Sequence, residues 1–229
     1  MASELEAYFE DADDLAAYEE FVRTQEMGPE PFDLDRPALV CRWRMAGKRV
    51  PMLNRHIRAL SQRRVNGEPF SHNMLSWVKQ HIEWSLAEGD FTTRDGVLML
   101  VVDVIGNAAM SVGSYEVLAA SDVPALAVRA ADARREADQT GVAPEVLASV
   151  SGDALMIDDA EHPCGTVTLV EQLAQTRGLT VERGAVAPDA PGLFLISDEH
   201  GIVPAAGNES VATIEFLAQS YAKLLAKSR

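Results

Sequence analysis

The stretch CGTVTLVEQLAQTRGLTVE, residues 164–182, decides the fold class. It opens on a turn at Gly165-Thr166, continues with Leu169, Val170, Leu173 and Ala174 at helical spacing, and reaches Gly178 before the apolar Leu179–Glu182. Apolar side chains recurring every three or four residues mark a helix with one buried face, and a glycine just past the last of them is a common stop. The reading is a turn, an amphipathic helix over Thr166–Arg177, and a strand. On the upstream side, Ala154–Ile157 reads as a short strand entering the acidic loop Asp158–His162. Before it, Val123–Val128 reads as a strand and Ala130–Gln139 as a charged surface helix stopped by Gly141. On the downstream side, Leu193–Ser197 is a strand, and Asn208 or Ser210 caps a last helix with the stripe Val211, Ile214, Leu217 and Tyr221. Strands and helices mix throughout this half.

The preceding half mixes them too. Ala38–Arg44 and Val50–Leu53 flank Ala46-Gly47-Lys48, which predicts a β-hairpin. Asn54–Ser61 turns helical. Ser71 caps a helix over His72–Glu88, whose apolar positions Leu75, Val78, Ile82 and Leu86 precede Gly89. Val97–Val104 is a β-branched apolar strand, and Gly106-Asn107 turns it back into Ala109–Val112. No repeat of 20–50 residues is visible.

Charge is distributed unevenly along the 229 residues, whose formal net charge is −15. Residues 1–36 hold twelve acidic side chains against Arg23 and Arg36, and residues 3–24 space Leu5, Phe9, Leu15, Tyr18 and Val22 in helical fashion. Cys41–Arg64 hold eight basic side chains and no acidic one; from residue 65 onward 23 acids face 10 bases. The net charge repels phosphate backbones and anionic lipid, so nucleic acid is not an expected partner. No apolar run approaches spanning length, so neither is a membrane. Two cysteines, Cys41 and Cys164, form no framework, and the acidic start MASELEAYFEDADD differs from a basic-then-apolar secretion signal, so the expected location is the cytoplasm. The basic block has two readings: a face solvated or loosely covered by the acidic segment, or an anion site.

Element order and several strings resemble the class IV aminotransferases, the pyridoxal-phosphate family that includes branched-chain and D-amino-acid aminotransferases and aminodeoxychorismate lyase. In the first half GKRVPMLNRHIRAL (47–60) is similar to that family's turn, strand and helix opening with a His and an Arg. In the second, 164–182 resembles its Gly-aliphatic-Thr turn, helix and strand, and FLISDEHGIVPA (194–205) matches its Phe-x-x-Gly-Thr-Ala-x-x-aliphatic-x-Pro stretch at the Phe, Ile202 and Pro204. The likeness covers about residues 39–225 and implies an α+β, two-subdomain fold: an acidic helical arm at 1–36, a small subdomain at 37–118 and a larger one at 119–229. It also implies a homodimer, with Trp77 or Trp84 as candidate interface residues.

What the family uses for its chemistry departs here. A pyridoxal enzyme needs a lysine amine to condense with the aldehyde. The lysines are Lys48, Lys79, Lys223 and Lys227, and the region where the family's lysine is expected, ALAVRAADARREAD (125–138), offers only arginines, which stay protonated. The family's Glu-Gly-x-x-x-Asn segment is missing between Asp158 and Pro163. Arg58 falls two residues after His56 where the family has its Arg three after, and Asp198 stands where the family has a phosphate-facing Thr. Thr166 remains. The expectation is a fold that has lost pyridoxal catalysis, has no catalytic residue and needs no cofactor, with Arg55, Arg58, Gly165 and Thr166 as a remnant site for a small anionic metabolite between the halves. Two alternatives stay open: an active, divergent pyridoxal-phosphate aminotransferase or lyase using one of the four lysines on a small amino acid, and a non-enzymatic interaction protein.

Other chemistry is weaker. Asp158–Cys164 gathers three carboxylates, an imidazole and a thiol, but neighbours on an extended loop diverge, and the plain reading is a solvated loop without metal. Ser197-Asp198-Glu199-His200 has the residue types of a hydrolytic triad without its geometry. Cys164 near His162 reads as a turn cysteine.

Overall fold

The computed structural model describes residues 37–228 except Asp90 and Ile105, together with Ala16 and Glu20. The arm at 1–36 otherwise lies outside the described residues.

Strand β1 (Pro37–Met45) lies antiparallel to β4 (Gly96–Asp103), which pairs with β5 (Ala108–Ser114). The expected Gly106-Asn107 turn joins β4 to β5; the Asp103 carboxylate accepts the Asn107 N–H at 2.9 Å and fastens it. Helices α1 (Leu53–Leu60) and α2 (His72–Glu88) cover one face of this sheet, burying Trp43, Met45, Leu60, Val78, Ile82 and Leu98. Ser71 caps α2 by accepting the Met74 N–H at 3.1 Å, as expected. The other face meets Val142, packed on Val40 and Val101. Burial on both faces is why β4 is almost uniformly apolar instead of alternating. Strands β2 (Arg64–Val65) and β3 (Glu68–Pro69) form a small ribbon through Asn66-Gly67, both at positive φ. That Asn-Gly pair is a hairpin signal the sequence reading passed over.

The predicted hairpin of Ala38–Arg44 with Val50–Leu53 does not form. Its turn survives only as a bridge between Ala46 and Arg49, and β1 takes its partner from β4, some fifty residues on. Pro51 lacks an N–H, and Met52 sits at φ 60° as the residue before α1, so the chain turns into a helix instead of a return strand.

The second half is a five-stranded sheet in the order β10-β9-β6-β7-β8. Its strands are β6 (Val146–Ser151), β7 (Ala154–Ile157), β8 (Thr180–Arg183), β9 (Leu193–Ser197) and β10 (Gly201–Pro204). All neighbours are antiparallel except β7 and β8, which are parallel and joined through α4 (Gly165–Thr176). Helices α4 and α5 (Ala212–Ser228) bury Val167, Val170, Ile214 and Leu217 against one face. The opposite face takes α3 (Val123–Thr140) through Leu126 and Ala130. The central strand β6 was not anticipated, and the strand expected over Val123–Val128 is the first turns of α3. Asp122 accepts the Ala125 N–H at 3.0 Å and Pro124 sits in the first turn, so a capped helix start overrides the β-branched pair.

Candidate functional site

The turn between β9 and β10 aims three side chains in three directions. Ser197 Oγ accepts the N–H groups of Glu199 (3.1 Å) and His200 (2.9 Å) and donates to Glu145 at 2.7 Å. Asp198 turns the other way, toward the first turn of α4. One of its oxygens accepts the Gly165 N–H at 3.1 Å; the other accepts both the Thr166 N–H and the Thr166 hydroxyl at 2.8 Å. Its backbone carbonyl accepts the Arg44 N–H of β1 at 2.9 Å, tying the two halves together at this point. His200 faces Arg129 and Tyr115. The residues of the would-be hydrolytic triad therefore serve three separate places.

A helix start presents unpaired N–H groups and the positive end of the helix dipole, and so favours an anion. Here the anion is a side chain of the same protein. Cys164 precedes α4 without capping it through its thiol, and Asp198 supplies the cap from 32 residues away. His56 of α1 completes the arrangement: it is buried, stacked on Trp43 with centroids 5.1 Å apart, and its Nδ1 lies 3.2 Å from the Asp198 carboxylate. Burial alone would raise the carboxyl pKa. The adjacent imidazole and the hydrogen bonds from His56 and Thr166 outweigh burial and hold it at about 2, against an ordinary 3.8. Gly165 is required by this contact, because a Cβ there would come within 2.6 Å of His56 Nδ1.

Of the four residues expected at an anion site, Gly165 and Thr166 are in this cup and bind Asp198. Arg55, one residue before His56 on α1, is turned about 100° away from it. Its guanidinium donates to the Thr168 carbonyl and hydroxyl, both at 3.3 Å, and to Gln172. Arg58 donates to the Asn54 carbonyl at 3.2 Å and is exposed. The two arginines stand together outside the cup. Sequence reading noted Asp198 as a charge that would oppose a phosphate; that it occupies the helix start itself emerges only from the tertiary contact.

A second polar space, a cleft of about 260 Å³, lies between β1, α3 and the β9–β10 turn, lined by Arg42, Arg129, Glu136, Glu145 and Glu199 among others. Both guanidiniums are already paired. Arg42 binds Glu136, with Glu199 at 3.7 Å, and Arg129 binds Glu145 and approaches His200 Nε2 at 3.3 Å. Burial lowers the His200 pKa from 6.5, which keeps the ring neutral beside the guanidinium. Arg44 lies 3.3 Å from the centre of the Tyr115 ring.

No lysine lines either space. Lys48 Nζ lies 3.4 Å from the Gly89 carbonyl, Lys79 pairs with Glu83 at 3.6 Å, and Lys223 and Lys227 are exposed on α5. The Ala125–Asp138 segment, where the resemblance expects a strand lysine, is helical. The acidic loop disperses: Asp158 accepts the Val186 N–H at 2.7 Å and pairs with Arg134 at 3.2 Å. Among the described residues no group of three or more His, Cys, Asp or Glu could hold a metal ion. Burial, then the nearby Asp198 carboxylate, raise the Cys164 thiol pKa well above its ordinary value, the opposite of an activated thiol. No described helix is long and apolar enough to cross a membrane.

No protein-family model and no curated protein matches the sequence. Solved structures do match in fold. The chain is similar to a hypothetical aminotransferase from Mycobacterium tuberculosis in its form bound to alpha-ketoglutarate and PMP: TM-score 0.59, 15% identity, covering 88% of this chain and 95% of that one. It is also similar to a structure described as a "putative 4-amino-4-deoxychorismate lyase" from Legionella pneumophila (TM-score 0.55, 14% identity, 86% and 97% covered). A fold IV-transaminase from Curtobacterium pusillum aligns at TM-score 0.54, with 14% identity and 87% and 91% covered. The α+β architecture is that of the class IV aminotransferases and lyases, as the resemblance implied.

Proposed function

We propose that this chain has the class IV aminotransferase fold without pyridoxal-phosphate chemistry, and that it acts as a binding protein for a small charged metabolite between its halves. The observation that carries the reading is the Asp198 carboxylate seated on the Gly165 and Thr166 donors. A phosphate needs those donors, and a fixed, ionised carboxylate in their place both blocks and repels it. No lysine amine lines the cup or the cleft, so the residues present do not fit the cofactor at either end. For the ligand we propose a molecule bearing a carboxylate or phosphate for Arg42 or Arg129, with a cationic group able to take over the glutamate that the arginine releases. The sequence expectation of an anionic metabolite is kept in its anionic part; Arg55 and Arg58 are the alternative contacts for it. A homodimer is carried over from the resemblance, with Trp84, 64% exposed on α2, as the first residue to probe.

The test is a titration of the purified full chain with pyridoxal phosphate, followed spectroscopically, then borohydride reduction and peptide mapping. Unchanged spectra and lysines modified only to the extent of surface reaction are expected. A saturable aldimine at one lysine would overturn the reading and restore an active enzyme.

A further inference from the structure

Two neighbouring cavities on the outer side of α1 form one trough. The larger, about 530 Å³, is lined by the Gly47–Val50 turn, Leu53, Ile82, Glu83 and Leu86. The smaller, about 360 Å³, is lined by Leu53, Arg55, Arg58, Glu83, Leu169 and Leu224. Leu53 and Glu83 belong to both, so the two adjoin, and Val50, Ile82, Leu86, Leu169 and Leu224 add apolar lining on either side. The trough's lips carry Lys48 and Arg49 at one end and Arg55 and Arg58 at the other. Among the described residues none of these four cations pairs with a carboxylate. Lys48, Arg55 and Arg58 bond only to carbonyl, hydroxyl or amide oxygens. Five other arginines, Arg42, Arg129, Arg134, Arg135 and Arg183, do meet an Asp or Glu, while Arg63 and Arg64 bond to carbonyls. Burial, then the neighbouring Arg58, lower the Arg55 pKa. In a chain of net charge −15, four cations without acidic partners around an apolar lining describe the seat of an acidic, amphipathic segment.

We infer that the occupant is the protein's own N-terminal segment, with Leu15, Tyr18 and Val22 laid on the trough floor and the flanking acids on its lips. Ala16 and Glu20 are helical and exposed. At the helical spacing read from the sequence over residues 3–24, Leu15, Tyr18 and Val22 share one apolar stripe flanked by Asp14 and Glu19. Residues 1–36 carry twelve acids against two arginines, a denser excess of negative charge than the 23 acids against 10 bases spread over residues 65–229. The tether reaches: β1, nine residues long, spans about 26 Å. The fourteen residues from Arg23 to Arg36 extend up to about 46 Å. A tether of that length sets an effective concentration on the order of millimolar, so the chain's own acids outcompete a separate acidic partner of equal intrinsic affinity.

Lys48 is the only lysine on the lips, which makes zero-length carbodiimide coupling of carboxylate to amine the direct test. Equal amounts of isotopically labelled and unlabelled full chain are mixed, coupled at low salt and mapped by mass spectrometry. The expected product joins Lys48 to a carboxylate among residues 10–20 within one chain. Its yield falls at least about tenfold in 1 M NaCl, where screening acts within about 3 Å. Arg49→Glu with Arg58→Glu, both at exposed positions, reduces it similarly at low salt. Absence of the Lys48 product at low salt would overturn the inference, as would arm coupling to Lys79, Lys223 or Lys227 instead. A product joining labelled to unlabelled chains would assign the trough to the arm of a second copy and overturn docking within the chain.

Discussion

Substituting Asp198→Asn probes the closed cup without changing its volume. The asparagine keeps one acceptor oxygen but loses the charge and turns its NH2 toward either the Gly165 or the Thr166 amide, itself a donor. The native carboxyl titrates at about 2 in the folded chain, against 3.8 when unperturbed. One pKa step is about 1.4 kcal/mol, so ionised Asp198 contributes on the order of 2.5 kcal/mol to stability at neutral pH. Because the folded value is the lower one, that contribution is fully present above the unfolded pKa and is lost as pH falls through 3.8 toward 2. The side chain is only 8% exposed, so little of this is screened by solvent. Urea unfolding of the native chain and of the Asp198→Asn variant at about pH 6 and about pH 2.5 should give a stability gap that narrows by about 2 kcal/mol at the lower pH. The other carboxylates titrate in both proteins and cancel in the difference. A gap that is absent near neutral pH, or identical under both conditions, would refute the account of Asp198 as an ionised cap held by His56 and Thr166.

Other substitutions report on the surrounding geometry. Gly165→Ala places a Cβ 2.6 Å from His56 Nδ1 and 3.3 Å from the His56 backbone nitrogen, and should cost about 1–3 kcal/mol in urea unfolding. Leu126→Ala, fully buried, should cost about 2–5 kcal/mol, whereas Val128→Ala, 61% exposed, should stay within about 0.5 kcal/mol. Equal losses at the two positions would favour the strand first expected there, since residues two apart share a face of a strand but not of a helix.

Where the deciding information is local, the sequence was readable. Helix α2 has its cap at Ser71, its stripe and its terminal glycine within nineteen residues, and the β4–β5 turn is equally self-contained. It misled where two local signals competed. Val123 and Val128 suggest a strand, yet Asp122 and Pro124 begin a helix whose Leu126 finds a place on β6 and β9. It was silent on pairing: nothing near Ala38–Met45 says that its partner is Gly96–Asp103 and not the closer Val50–Leu53.

The candidate site divides in the same way. The sequence by itself determined the absence of lysine from residues 80–222, the position of Asp198 against the family's Thr, and the uneven charge of the N-terminal half. Only the tertiary structure decided that Asp198 caps α4, that Arg55 and Arg58 face away from that cap, and that Lys48 and Arg49 share a trough with them. The physical reason is distance along the chain. Residue type sets which charges exist, but a carboxylate 32 residues from a helix start becomes its cap only when sheet packing brings them to 2.8 Å, and rotation about α1 decides which side chains join it.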